Sequence, residues 1–185
     1  MAVPALARSG SASAPRMLQI YLNDHLAGAT AGVGLARRLV RDHRHSAYSG
    51  ELTRLRAEVA RDRKALLWCM AALDVPTRRY KVYGAWAGER LTRLRPRGRS
   101  RRRSGLNTVL ELEAMRLGVE GKALLWRTLL AAAVHDSRLE TGRLAELLDA
   151  AGGQLAVLDS LHARAVSALV SHGDAPAPHP EAASA

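Results

Sequence analysis

The chain has 185 residues, a formal net charge of +11 and a single cysteine, Cys69. One cysteine excludes an intrachain disulfide and is compatible with a reducing cytoplasm, where we expect the protein to be located. The longest run without a charged residue or histidine, residues 26–36, is far shorter than the roughly 20 residues of a membrane-spanning helix. The sequence therefore predicts no transmembrane segment.

Alanine and leucine dominate the apolar residues, which make up 48% of the chain, and phenylalanine is absent. This composition favours helices packed through small side chains, so we predict an all-α protein. Residues 1–16 and 171–185 are rich in Ala, Ser and Pro, and we predict a disordered leader and a disordered tail. The folded domain is then expected over residues 17–170, a length that forms one core.

The first predicted helix covers residues 17–43. Gly28, Gly32 and Gly34 lie within it, and each glycine weakens a helix unless the missing side chain lets another helix approach. The glycines therefore predict a close crossing. The apolar stripe of this helix consists of Leu18, Leu22, His25, Ala29, Val33, Ala36 and Val40.

The second predicted helix begins with Ser49 as N-cap and extends to about residue 74, because Pro76 cannot continue a helix. Its apolar stripe contains one acid, Asp62, which is flanked by Arg61 and Arg63, so local ion pairing is expected there. The stripe consists of Leu52, Leu55, Val59, Asp62, Leu66, Cys69 and Leu73.

Residues 75–107 form a long basic connection. Within it, residues 80–94 are predicted to form a short amphipathic helix in which Tyr83, Trp86 and Leu91 cover the bundle. Residues 95–105 are predicted to form a cationic loop, because Pro and Gly break a helix and the charges repel. The residues expected to contact an anion are Arg97, Arg99, Arg101, Arg102 and Arg103.

The third predicted helix starts at a capping box headed by Thr108 and ends near residue 134. Its apolar stripe repeats every seven residues, and two acids lie between the leucines on the same face. We therefore predict an inward face carrying carboxylates, which need cations, protonation or a metal. The stripe consists of Leu110, Glu113, Leu117, Glu120 and Leu124.

The fourth predicted helix starts at a capping box headed by Ser137 and reaches about residue 170, with a kink or break at Gly152 and Gly153. Its apolar stripe places His162 inward, with Asp159 one turn earlier. Elsewhere, residues 62–68 and 120–126 match in order: each has a carboxylate two residues before Lys-Ala-Leu-Leu-Trp. This echo indicates either a duplication or a shared environment.

Four helices joined by a short turn, a long crossover and a short turn, with acids at similar heights, resemble the ferritin-like superfamily over residues 17–170. The resemblance implies a four-helix bundle whose helices 2 and 3 run parallel, joined by a crossover that carries the short extra helix. The Ala- and Arg-rich composition is similar to that of actinobacterial proteins.

Metal-binding members of that superfamily hold two irons with a Glu from each of two helices and Glu-x-x-His from the other two. Asp159-x-x-His162 has this spacing with a shorter acid, whereas Glu58-x-x-Arg61 has a cation where the histidine belongs. The resemblance thus implies an incomplete ligand set for iron or another transition metal. The candidate ligands are Glu58, Asp62, Glu113, Glu120, Asp159 and His162.

Two other interpretations of these acids stay open. In one, no cofactor is bound and the acids pair with lysines and arginines, including Arg37, Arg61, Lys64, Arg116 and Lys122. In the other, Glu113, Asp159 and His162 hold a single metal ion such as zinc.

Two functions follow from these interpretations. The first is a non-enzymatic bundle that binds an acidic protein, nucleic-acid phosphates or another anionic surface through its Arg-rich crossover. The alternative is a di-iron or other metal-binding protein that acts as an oxidoreductase or a metal store. No Walker-type phosphate loop, Gly-x-Ser-x-Gly elbow or paired-cysteine zinc pattern is present, which favours the non-enzymatic function. A homo-oligomer is compatible with either.

Overall fold

The computed structural model describes residues 15–78 and 101–171. In the second range it describes side chains from residue 105 onward. The helices are α1 (Arg16–Asp42), α2 (Ser49–Ala72), α3 (Arg101–Ala133) and α4 (Thr141–Ser171). The described ranges contain no strand, so the predicted all-α class with four helices is confirmed. None of these helices is both long enough and apolar enough to cross a membrane.

Several expectations concern residues beyond these ranges. Nearly all of the predicted leader and tail lies outside the described residues; of the rest, Arg16 begins α1 and Ser171 ends α4. The same holds for the short helix expected at residues 80–94 and for Arg97 and Arg99.

Side-chain contacts establish the relative directions of the helices. The Tyr21 hydroxyl lies 3.2 Å from Thr128 Oγ1, and Arg38 Nη1 lies 3.4 Å from Glu111 Oε1, so α1 and α3 are antiparallel. Because the six-residue turn after Asp42 returns the chain along α1, α2 is also antiparallel to α1. Helices α2 and α3 therefore run in the same direction. α1 and α4 each pack against both α2 and α3, so they lie diagonally opposite each other.

The core confirms the predicted inward face of α2. All seven residues of its predicted stripe are buried, and Asp62 is buried with them at 6% exposure. The core side chains come from all four helices and include Leu22, Leu39, Leu66, Met70, Trp126, Leu129, Leu144 and Leu158. Burial of these apolar side chains is the main force that holds the bundle together.

The inward face of α3 differs from the prediction. Leu117 is 70% exposed and Leu124 is 52% exposed, and Glu113 also lies on the exposed side. A neighbouring heptad faces the core instead, and it consists of Thr108, Leu112, Met115, Val119, Lys122, Trp126 and Leu129. The predicted stripe was wrong because both faces of α3 carry apolar residues at seven-residue spacing.

Helix α3 also begins earlier than predicted. It starts at Arg101, so the expected loop is wrong for residues 101–105, which are helical. Thr108 is buried inside the helix and does not cap it. A Cβ built at Gly105 would lie 3.2 Å from Leu169 Cδ1, so the glycine permits the close approach of α4 at this position.

Two further helix-end predictions are wrong. Tyr48, not Ser49, precedes α2, and no side chain caps that helix. Ser137 lies in a turn in which the Leu139 N–H donates to the Asp136 carbonyl at 3.1 Å, and α4 begins four residues after Ser137.

Helix α4 then runs without interruption through Gly152 and Gly153. A Cβ at either glycine would meet nothing within 4 Å. The predicted break there is therefore wrong.

After α2 the chain turns back over α1. Asp74 adopts φ 55°, a left-handed conformation that ends the helix, and the Val75 N–H donates to the Met70 carbonyl at 2.8 Å. Buried Asn23 of α1 then holds the chain: its amide donates to the Pro76 carbonyl at 3.1 Å, and its Oδ1 accepts from the Arg78 N–H at 2.7 Å. The first described range therefore ends beside α1.

Candidate functional site

A three-residue polar cluster lies inside the bundle where α2, α3 and α4 meet. Lys122 Nζ donates to Asp62 Oδ2 at 2.5 Å and also to the side-chain carbonyl of Gln154. The Gln154 amide in turn donates to Asp62 Oδ2 at 3.0 Å. Gln154 is 2% exposed, and the side chains of Asp62 and Lys122 are 8% and 14% exposed. The three groups thus satisfy one another away from water.

The cluster shows how the buried acid of α2 is neutralised. The sequence predicted local pairing of Asp62 with Arg61 or Arg63, but its partner is Lys122 on another helix. Arg63 instead donates from Nε to Thr30 Oγ1 at 3.0 Å. Burial lowers the pKa of Lys122, while the charge of Asp62 opposes this effect. The negative charge of Asp62 is therefore neutralised by a lysine on another helix.

The six candidate metal ligands are spread over different parts of the bundle. Of the six, Glu113 and His162 share a polar contact, with 3.1 Å between Oε1 and Nε2, on a partly exposed surface between α3 and α4. Asp159 is 56% exposed and accepts from Arg116 Nε at 2.6 Å. His162, which was predicted to face inward, is only partly buried, and Asp159 lies on the outer side of α4, because this helix buries Leu158 and Leu161 instead.

Glu58 and Glu120 are half-buried on separate helices. Within residues 15–78 and 101–171, no three His, Cys, Asp or Glu side chains form a group that could hold a metal ion. Of the candidate acids, Asp62 pairs with Lys122, Asp159 pairs with Arg116, and Glu113 contacts His162.

A cleft of about 660 Å³ opens between α1 and α3. Its inner wall includes Val59, Leu66, Met115, Val119 and Trp126. Small residues line its mouth, namely Gly28, Ala31 and Gly32 on α1 and Ala114, Gly118 and Gly121 on α3. The charged residues that line it are Asp24, Asp62, Arg63, Glu113 and Lys122. The cleft is therefore largely apolar, with polar groups at its edges and at the Asp62–Lys122 pair.

The cleft explains the glycines of α1 in a way that the sequence did not predict. A Cβ at Gly28 or Gly34 would meet nothing within 4 Å, and one at Gly32 would lie 3.8 Å from Val59 Cγ1. Among the described residues, no helix approaches α1 at Gly28 or Gly34, and α2 reaches only ordinary van der Waals distance at Gly32, so the expected unusually close crossing is not seen there. Gly28 and Gly32 instead leave open space at the mouth of the cleft.

His43 links the end of α1 to the start of α3. Its Nε2 lies 3.2 Å from Thr108 Oγ1, and its ring packs edge-to-face on Tyr48 with 6.1 Å between ring centroids. Burial lowers the pKa of His43, and the charge of Asp42 opposes this effect. The neutral imidazole is therefore the form that the folded state favours.

We expect the free energy of unfolding to decrease as the pH falls below about 6.5, the ordinary histidine pKa. The unfolded chain takes up a proton on His43 at a higher pH than the folded chain does, so acid favours unfolding. Urea unfolding at pH 7.5 and at pH 5.5 measures this effect, and His43→Gln should reduce the difference. His45→Gln, at an exposed position of the same turn, is the control and should leave the difference unchanged. An equal loss in wild type and His43→Gln would contradict the expectation.

Sequence reasoning missed part of the buried cluster. The predicted face of α3 includes Lys122 only as a possible ion-pair partner at its edge, and the predicted face of α4 does not include Gln154. The signal for Lys122 was its place in the heptad with Val119 and Trp126; Gln154 lies in the heptad of Leu144, Ala151 and Leu158. The internal echo does not reflect equal environments, because Lys64 is exposed whereas Lys122 is largely buried.

Comparisons of the chain with protein-family models, with curated proteins and with solved structures find no match.

Proposed function

We propose that this protein is a non-enzymatic helical-bundle module of the ferritin-like type that binds an anionic partner through one end of the bundle. The helix directions support the ferritin-like part of the proposal, because α2 and α3 run parallel and neighbouring helices are antiparallel, as in that superfamily. The Asp62–Lys122 pair supports the non-enzymatic part, because a lysine supplies the positive charge that a metal would otherwise bring to the core.

The observation that carries the anion-binding part is a concentration of arginines at one end of the bundle. Helix α1 ends there, and α2 and α3 begin there. Exposed arginines come from the first two helices and from the turn between them, and α3 opens with three consecutive arginines. We call this the cationic end; it consists of Arg37, Arg41, Arg44, Arg54 and Arg56 together with the first helical turn of α3, Arg101–Arg103.

Clustered arginines attract polyanions because binding releases the counterions of the polyanion, which makes the affinity depend steeply on salt. Nucleic-acid phosphates, an acidic protein surface and an anionic lipid surface all carry the required charge. Random-sequence DNA is the simplest probe, and polyglutamate and anionic vesicles in the same assay distinguish the three partners.

We expect the triple variant Arg37→Gln/Arg54→Gln/Arg56→Gln to bind random DNA more weakly than the wild type. Three lost phosphate contacts should reduce the slope of log affinity against log salt by up to about 2.7. The matched control is Arg16→Gln/Arg78→Gln/Arg127→Gln, which removes the same charge from exposed positions towards the other end. Equal weakening in both variants, or DNA binding that does not respond to salt, would contradict the proposal.

The alternative function is metal binding, and one contact favours it: Glu113 meets His162 at 3.1 Å, and Asp159 lies one turn before His162 on α4. If this alternative is correct, protein purified without chelators should contain stoichiometric iron or zinc that His162→Ala removes. Under our main proposal, elemental analysis should find no stoichiometric transition metal, and Asp159→Asn should leave the urea midpoint unchanged because the Asp159–Arg116 pair is exposed.

A further inference from the structure

The cleft between α1 and α3 leaves apolar surface open at the centre of the described bundle. Its inner wall is formed by core side chains such as Met115 and Val119, and Leu117 at its edge is 70% exposed. Apolar surface of this kind is normally covered in a soluble domain. The small residues at the mouth let a helix approach closely, as they do wherever two helix backbones meet.

The chain itself leads to this cleft. The described chain stops at Arg78, which Asn23 holds on α1, and the next residue of that helix, Asp24, lines the cleft. The chain resumes at Arg101, beyond the opposite end of the cleft, because α3 begins at the cationic end. The intervening 22 residues, 79–100, thus begin and end at opposite ends of one cleft.

The length of the segment 79–100 agrees with the distance that it must span along the cleft. A helix over residues 80–94 is about 22 Å long, and the part of α3 that lines the cleft, residues 110–126, spans about 24 Å. Six extended residues, 95–100, add about 20 Å. Together they cover about 42 Å, and α3 rises about 38 Å between the level of Trp126 and that of Arg101.

The side chains of residues 80–94 also match the chemistry of the cleft. The amphipathic pattern of residues 80–94 places Tyr83, Trp86 and Leu91 on one face, which suits an apolar cleft. If this segment runs from Asn23 towards the cationic end, Lys81 starts near Asp24 and Arg93 ends near Glu113. Cations then come near both acids that border the mouth of the cleft.

We propose that the cleft between α1 and α3 is the binding groove for the chain's own residues 80–94, with Tyr83, Trp86 and Leu91 against its small-residue mouth. This inference is independent of the anion-binding proposal, because it concerns a different surface. If residues 80–94 occupy the groove, the Arg-rich residues 95–100 that follow them lead to the cationic end.

Cysteine labelling of the full-length chain tests this inference. Gly28→Cys places a thiol at the mouth of the cleft, and Gly34→Cys places one on α1 outside the cleft; both positions are exposed among the described residues. The native thiol of Cys69 is silent in this assay, because Cys69 is fully buried and burial raises its pKa to about 11.

With maleimide at pH 7, we expect Gly28→Cys to react about tenfold or more slowly than Gly34→Cys, because reaction requires the segment to leave the groove. Adding Trp86→Ser should speed the labelling of Gly28→Cys and leave that of Gly34→Cys unchanged. Adding Tyr83→Ser and Leu91→Ser to the Trp86→Ser variants should make the labelling rates of Gly28→Cys and Gly34→Cys equal. Labelling of Cys69 in the same samples reports any loss of the fold.

Three kinds of result would overturn the inference. The first is equal labelling of the two single variants, or protection of Gly28→Cys that the Trp86→Ser change does not affect. The second is protection that depends on protein concentration, which would identify a second copy of the chain as the occupant. The third is protection that disappears after unfolding in urea, dialysis and refolding, which would identify a small molecule.

Discussion

Replacing Lys122 with methionine is expected to lower the free energy of unfolding by about 3–5 kcal/mol, a large part of the stability of a domain of this size. The change leaves the carboxylate of Asp62 buried without a cation and removes one of the two contacts that satisfy Gln154. Urea unfolding of the purified variant followed by circular dichroism measures this loss.

The matched control comes from the internal echo. Lys64→Met changes the equivalent lysine of the echo, which is exposed on α2, and should alter stability little. Replacing the whole cluster with apolar residues, as Asp62→Leu/Lys122→Met/Gln154→Met, should restore stability to within about 1 kcal/mol of the wild type or above it, because a well-packed apolar cluster needs no desolvated charge. A Lys122→Met variant as stable as Lys64→Met would show that the buried pair is not formed in solution.

Replacing Trp126 with alanine is expected to cost about 3–5 kcal/mol, because it removes a fully buried side chain and leaves a cavity in the core. Trp126→Phe should cost much less. It keeps most of the ring and removes an indole N–H that has no hydrogen-bond partner among the described residues, and an unpaired buried donor itself costs about 1–3 kcal/mol.

Trp68 is the control for this prediction. It occupies the equivalent position of the echo but is only half-buried, with the guanidinium carbon of Arg143 4.2 Å from its ring centroid. Trp68→Ala should therefore cost less than Trp126→Ala in the same urea experiment. If the two alanine variants lose equal stability, the register of α3 described above is incorrect, because that register is what places Trp126 in the core.

Both predictions bear on the proposed function. In a di-iron bundle the inner acids are held together by metal, and removing the metal leaves like charges close to one another. Here the inner acid is held by a lysine and a glutamine, and the other acids of the predicted ligand set lie apart, at half-buried or exposed positions. This arrangement supports our proposal that the cationic end, and not the centre of the bundle, recognises a partner.

The sequence by itself determined the helical class, the number of long helices and the inward face of α2. These features depend on local properties that one chain segment carries alone, such as the abundance of Ala and Leu and the 3.6-residue period of apolar side chains. The stripe of α2 was clear because the other faces of residues 51–64 carry charges, so periodicity was enough to place even Asp62 in the core.

Only the tertiary structure decided the inward face of α3 and the partner of Asp62. Leu110, Leu117 and Leu124 repeat every seven residues, and so do Leu112, Val119 and Trp126 on the neighbouring face. Periodicity cannot choose between two such faces, because the choice is made by the surfaces of the other helices. That choice places Lys122 in the core and leaves Glu113 and Leu117 outside. The lysine can be buried because Asp62 on α2 and Gln154 on α4 accept hydrogen bonds from it. Neither partner can be inferred from the sequence of α3 alone.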